Sequence, residues 1–357
     1  MDERSWLHLE PEPAEHAVPA DLIARDPMAG RDIGWVTQMR PFVRQFCPPG
    51  GRVFDPFAGL GSTLLAARLE GRDAFGCEID AARAAQIGER FARLGLASPT
   101  VFAASCDTLA DSVLPPFDLC LANVPYFGCR WVGETVPGQL YGSASYEAHL
   151  NGLRDVFHRV RGTLADDGFC IAMVQNLRVG ERMLPLAFDL ARLLGSLFTL
   201  QEERVIVYDR PARAATPLDA RSNRSHEYAL IARKHRERVD LLATAALLQA
   251  LRAEGHRFIV FGSFARWLRD PASARPADAD LQVAPDEAAL GALMRSLALR
   301  GFSLRCWGDP VHLPLKLDAW RGRHYFRAER IDREGAVIRL DLCFEPSGPE
   351  ASFDVLN

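Results

Sequence analysis

The stretch "VFDPFAGLGSTLLAA" runs an apolar strand into Asp55 and then turns through Gly59 and Gly61 into a helix. A strand, a glycine turn and a helix in that order bring backbone N–H groups close to whatever lies at the sheet's carboxyl edge, because glycine has no Cβ in the way. Such a turn suits a cofactor. No Lys-Ser/Thr follows the glycines, so it is not a triphosphate-binding P-loop. In "GCEID", after the next strand, Glu78 is placed to accept hydrogen bonds from a ribose diol. Asp107, after "TVFAASCD", is placed to accept from an adenine amino group. Taken singly, Asp55 and Glu78 also read as caps of the helices that follow them. A further strand, "FDLCLANVPYFG", stops on Asn123, Val124, Pro125 and Tyr126, an ending that an ordinary Asn-X-Pro turn would also give.

The elements that must position these residues alternate. "AARAAQIGERFARLGL" predicts a helix after "DAFGCEID", "GFCIAMVQN" a further strand, and helical segments fall near 145–163 and 180–195. Strands alternating with helices imply a mostly parallel sheet covered on both faces. "LQEERVIVYD" and "SHEYALIARK" follow with no helix between them, which predicts an antiparallel pairing at one end of that sheet. The proline-punctuated acidic segment 1–34 reads as an N-terminal arm or lid, 35–235 as a first domain, and 236–357 as a second that opens on a linker helix, "ERVDLLATAALLQALRAE".

At 357 residues the chain is long enough for two cores. A formal net charge of −4 gives no general attraction to phosphate backbones, so a nucleic-acid partner rests on local patches. Only Lys234 and Lys316 are lysines; Arg210, Arg213, Arg221 and Arg224 cluster before "SHEY", either as phosphate contacts or as a solvated loop. The eight cysteines form no C-x-x-C pair, which fits a reducing compartment and no zinc site. No signal pattern or membrane-spanning run is evident, so a cytoplasmic location is the expectation.

"VFDPFAGLGSTLLAA" followed by "GCEID" resembles the cofactor half of S-adenosylmethionine-dependent methyltransferases, especially the DNA amino-methyltransferases with their DPFxGxGTT motif. The resemblance covers about 35–235 and implies a class I, Rossmann-like α/β sheet with an antiparallel edge strand. It implies cofactor contacts at Asp55, Phe57, Gly59, Gly61, Glu78 and Asp107, and at Thr37 and Gln38 in "VTQMRPFV" near the methionine end. "NVPY" resembles the family's (D/N/S)PP(Y/F) catalytic tetrapeptide. An exocyclic amine has its lone pair delocalised into the ring, so two acceptors, the Asn123 side-chain oxygen and the Val124 carbonyl, would favour its nucleophilic form. Pro125 would hold Val124 extended and Tyr126 would stack on the heterocycle. Two features depart from the family: Val124 stands where proline is usual, and the cofactor motif precedes the catalytic one with no inserted recognition domain. Trp131 and Tyr141, in the loop that follows, either line the substrate pocket or pack locally. The substrate implied is a nucleobase of DNA or RNA; a small biosynthetic amine and a non-catalytic nucleotide sensor are the alternatives.

In the second domain, Gly262 and Ser263 stand at a strand-to-helix turn, and Asp278 and Asp280 flank one residue. Residues two apart on a strand face one side, so these carboxylates, with Asp341, could hold divalent ions such as Mg2+. The pattern resembles the nucleotidyltransferase superfamily over about 255–345, implying a small α+β fold and a nucleoside triphosphate partner. The domain is either active or kept for binding or assembly.

Overall fold

The computed structural model describes residues 4–109, 113–129, 131, 136–179, 181–208, 226–307, 309–332 and 334–345, and divides into two compact units between His235 and Arg236.

The first unit runs β1 (Trp6–Leu9), α1 (Ala20–Arg25), α2 (Val36–Phe46), β2 (Arg52–Asp55), α3 (Ser62–Leu69), β3 (Asp73–Cys77), α4 (Ala81–Arg93), β4 (Thr100–Phe102), β5 (Phe117–Asn123), α5 (Tyr146–Thr163), β6 (Leu164–Val174), β7 (Leu177–Val179), β8 (Arg182–Leu184), α6 (Leu186–Leu197), β9 (Thr199–Tyr208) and β10 (His226–Arg233). Its 8-stranded sheet has the order β1-β9-β10-β6-β5-β2-β3-β4. Nearly all of β5 is buried, as a near-continuous apolar run must be when helices cover both faces. On one face Phe42, Leu64, Ile87 and Phe91 pack on Val53, Leu119, Ile171 and Ile231. On the other, Phe157 and Leu190 pack on Phe54, Cys120, Ala172 and Leu230. Chain connections diverge from the β2–β5 boundary, so the carboxyl ends of these two strands form the crevice where ligands bind in open α/β sheets.

Three expectations change. The reversed strand is not an edge strand: β10 lies inside the sheet, antiparallel to both β6 and β9. The outer edge is instead β1, parallel to β9 from Trp6↔Val205 to Leu9↔Tyr208, so the N-terminal segment is partly a sheet element. It covers an edge that β9 would otherwise expose. Within 180–195 the helix begins only at Leu186; Leu177–Val179 and Arg182–Leu184 form a separate two-stranded hairpin before it. Leu177-Arg178-Val179 alternates apolar and charged residues, and Gly180, a residue type common in turns, follows it in the sequence before the second short strand, a pattern that suits a hairpin better than a helix.

The second unit contains β11 (Arg238–Val239), α7 (Leu241–Ala253), β12 (Ile259–Phe261), α8 (Gly262–Arg269), β13 (Ala279–Gln282), α9 (Glu287–Leu299), β14 (Ser303–Cys306), β15 (Asp309–Pro310), β16 (Tyr325–Ile331) and β17 (Ala336–Cys343). Its 7-stranded mixed sheet has the order β12-β13-β17-β16-β14-β15, with β11 added alongside β17. Phe264, Leu281, Met294, Phe326 and Leu340 centre its core. Among the described residues of the whole chain, no helix is long and apolar enough to cross a membrane. The eight cysteines are free thiols.

Candidate active site

The glycine turn is held by the acid that follows it. Gly59 and Gly61 have φ of +54° and +81°, a left-handed region that side chains with a Cβ avoid. The Gly59 N–H donates to Glu78 Oε2 at 2.8 Å, and the Asp80 N–H donates to Glu78 Oε1 at 3.0 Å. Asp55 accepts from the Phe57 N–H at 2.9 Å and from the Thr63 side chain. Neither acid is a helix N-cap; Gly61 and Asp80 occupy those positions. Burial pushes both carboxyls up to about 7, with the Arg83 guanidinium pulling Glu78 back down. Phe57 turns its ring edge-on to Phe157, while its N–H serves the turn. Half-buried Asp107 sits on a short 3-10 turn and accepts from the Ser105 hydroxyl.

At the end of β5, Asn123 is level with Met173 of β6. Its side-chain oxygen is buried and has no hydrogen-bond partner. An unpaired buried acceptor is costly, on the order of 1–3 kcal/mol. Val124 is buried, and its N–H donates to Met173 O at 3.1 Å. A proline there would have no N–H to give, so Val124 adds one rung to the β5–β6 ladder where the family tetrapeptide loses it. Val124→Pro is expected to cost about 1 kcal/mol of stability, measurable by urea denaturation. Pro125 is buried and Tyr126 is packed against the α5–α6 face.

Thr37 and Gln38 point to other partners. The Thr37 hydroxyl and N–H both donate to Glu12 Oε2, at 2.7 and 3.0 Å, and the Val36 N–H donates to Glu12 Oε1, so a residue of the N-terminal segment caps α2. The buried Gln38 amide donates to Glu227, which also accepts from Gln175 at 3.0 Å. Trp131 and Tyr141 stack on each other at 5.9 Å. They lie beside Arg83, whose guanidinium sits over the Trp131 ring, while the Tyr141 hydroxyl donates to Asp32 at 2.8 Å. The structure thus groups them with the Glu78 corner. Arg221 and Arg224 lie outside the described residues, as do Arg210 and Arg213.

Sequence reasoning missed Glu12, Asp32, Arg83, His149 and Glu227. Only Glu227 had a visible signal, since it shares the inward face of β10 with Ala229 and Ile231. His149 is fully buried on α5, with its Nδ1 3.2 Å from Leu140 O and the Pro125 carbonyl close by; burial lowers its pKa, so it is neutral beneath the Asn123–Tyr126 turn.

In the second unit, Asp280 of β13 pairs in register with Asp341 of β17, and a Cβ on Gly262 would collide with the Asp280 carboxylate. Gly262 has φ +70° and opens α8, where Ser263 is exposed. Burial, then the neighbouring Asp278 and Asp341, raises Asp280 to about 6. Arg327, however, donates to Asp341 at 2.7 and 2.8 Å and reaches Asp278 at 3.3 Å. A guanidinium therefore stands between two of the three expected metal ligands. Among the described residues no group of three acidic, histidine or cysteine side chains is arranged to hold a metal ion.

The sheet order, glycine turn and buried acid after β3 define the first unit as a class I methyltransferase-like α/β domain. Residues 36–89 match the family model described as a DNA methylase. No curated protein matches the chain. Among solved structures it is similar to TrmN from Thermus thermophilus, at 18% identity and TM-score 0.41 over 58% of this chain and 51% of that one. It thus spans about half of that protein's length. It is also similar to an rRNA methylase from Streptococcus thermophilus, at 11% identity and TM-score 0.36 over 56% of this chain and 96% of that one. A third is the magnesium protoporphyrin IX methyltransferase of Synechocystis with bound SAH, at 13% identity and TM-score 0.34 over 52% and 74%.

Proposed function

We propose that the first unit methylates an exocyclic amine of a nucleobase in DNA or RNA. The observation that carries this reading is the partnerless, buried oxygen of Asn123 at the carboxyl end of β5. An amine N–H is the donor that oxygen lacks, and the Val124 carbonyl is the second acceptor in the same turn. Holding the amine by both hydrogens aims its lone pair, and positioning of that kind is worth about 7–11 kcal/mol in favourable cases. The Tyr126 ring supplies a flat face for the heterocycle.

The residues present fit S-adenosylmethionine. The Gly59 turn leaves room for a ligand against the backbone, and Glu78, although it holds that turn, retains lone pairs for a ribose diol. Asp107 is the acceptor proposed for the adenine amino group. The bound cofactor would supply a methyl group already activated as a sulfonium, so the protein need only orient and desolvate. Gln38 and Thr37 act through Glu227 and Glu12, fixing the first turn of α2 beside Asn123 rather than offering free donors.

The test is incubation with methyl-labelled S-adenosylmethionine and separate pools of DNA, RNA and cell metabolites. Label in DNA or RNA supports the nucleobase reading. Label only in metabolites moves the substrate to a small amine, and cofactor binding with no label in any pool supports the sensor alternative.

For the second unit, nucleotidyl transfer with a divalent metal remains a proposal whose condition is set by Arg327. The guanidinium must leave Asp278 and Asp341 before metal can enter. Wild-type protein is expected to incorporate nucleotide weakly or not at all with Mg2+, and Arg327→Ala to raise metal-dependent incorporation. Incorporation that survives Asp278→Ala rules out the metal assignment.

A further inference from the structure

The segment that links α1 to α2 touches both ends of the proposed cofactor site. At one end lies Arg83, whose side chain is only 3% exposed. It pairs with Asp26 at 3.0 Å, with both oxygens of Asp32 at 2.9 and 3.0 Å, and with Glu78 at 4.0 Å. A Cβ on Gly59 would lie 3.6 Å from its Nη2, so the guanidinium borders the glycine turn itself. At the other end lies Gly34, where a Cβ would come within 3.2 Å of Asn123 Nδ2 and 3.0 Å of the Met39 methyl. Between these ends the chain is tied to itself: the Gly30 N–H donates to Asp26 Oδ2 at 2.7 Å, and Arg31 Nε donates to Met28 O at 2.8 Å. Asp32 is the junction, because Tyr141 also donates to it from the loop after the tetrapeptide.

We propose that Asp32 and Arg83 are positioning residues for the cofactor: they pin residues 26–34 across the carboxyl edge, from the Gly59–Glu78 corner to Asn123, as the outer wall of its site. The inference rests on the methyltransferase reading. Three carboxylates, those of Asp26, Asp32 and Glu78, converge on the Arg83 guanidinium, which ties the wall to the acid that faces the ribose. A buried charge-assisted contact of this kind sets residence time more than encounter rate. Tyr141 adds a second tie to the same carboxylate, so the wall and the loop hold or release together.

The test measures S-adenosylhomocysteine binding and dissociation by calorimetry and stopped flow in the full chain. Wild type is expected to bind. Asp32→Asn should release the ligand about 10-fold faster, the effect of one weakened charge-assisted contact, with KM for S-adenosylmethionine raised in step and kcat little changed. Asp32→Glu should restore most of the residence time, and Tyr141→Phe, which removes only a hydroxyl, should give a smaller acceleration of the same kind. Equal off-rates in wild type, Asp32→Asn and Tyr141→Phe overturn the proposal while leaving the methyltransferase reading intact. Failure of the folded wild type to bind S-adenosylhomocysteine overturns that reading and the proposal with it.

Discussion

Replacing Asn123 with alanine is expected to lower methyl-transfer turnover about 100-fold while changing cofactor affinity by less than about 3-fold, the scale of one lost transition-state acceptor. The split follows from where the side chain sits. Asn123 ends β5 and contributes nothing to the glycine turn, whose hydrogen bonds run between Gly59, Asp80 and Glu78. Its oxygen has no internal partner, so truncation removes no hydrogen bond that the ligand-free protein makes through that atom. Stability should therefore change little or rise, since an unpaired buried acceptor is lost. Single-turnover labelling separates the step from binding. An unchanged single-turnover rate removes Asn123 from the chemistry.

The local parts of this site were legible because they are written locally. Asp55, Gly59 and Gly61 fall within seven residues, and Glu78 directly follows the next strand, so period and turn chemistry place them. What was not legible depends on pairing at a distance. Nothing in "SWLHL" says that it will lie against Val205 to Tyr208, because an edge strand's partner is decided by tertiary packing. The intramolecular partners of Thr37 and Gln38 were likewise invisible, since Glu12 is 25 residues before Thr37 and Glu227 is 189 after Gln38. The acids of the second unit show the same limit. Their alternation with Ala279 is visible in the sequence, whereas Arg327 reaches them from β16, 49 residues beyond Asp278. A cation supplied by another strand leaves no trace in the spacing of the acids, although it decides whether they can take a metal.

Glu78→Gln is expected to weaken S-adenosylmethionine binding about 30-fold, because hydrogen bonds to a charged acceptor are worth roughly 1.5–3 kcal/mol and glutamine keeps only one acceptor oxygen for the Gly59 and Asp80 N–H groups. The same substitution should change the pH dependence of stability. Asp55 and Glu78 both have pKa values raised to about 7 from ordinary values of 3.8 and 4.5. A raised carboxyl means the folded chain holds a proton that the unfolded chain has given up. The stability this confers is fully present below the unfolded value and is lost as pH rises through about 7. Glu70 does not interfere above pH 5, because Arg44 and Arg40 lower it to about 2 and its contribution fades only in acid. His149 acts in the opposite sense, but only below its ordinary 6.5. Between pH 6.5 and 8 each raised carboxyl should therefore remove about 1 kcal/mol, and the ligand-free melting temperature should fall by about 4–8 °C. Glu78→Gln should remove about half of that fall. Cofactor binding should oppose it, since ribose hydroxyls favour the ionised carboxylate, so affinity should climb across the same interval as a proton is released. Calorimetry in buffers of different ionisation enthalpy counts that proton directly. A melting temperature flat from pH 6.5 to 8 in both proteins would mean that neither acid is held protonated by its burial.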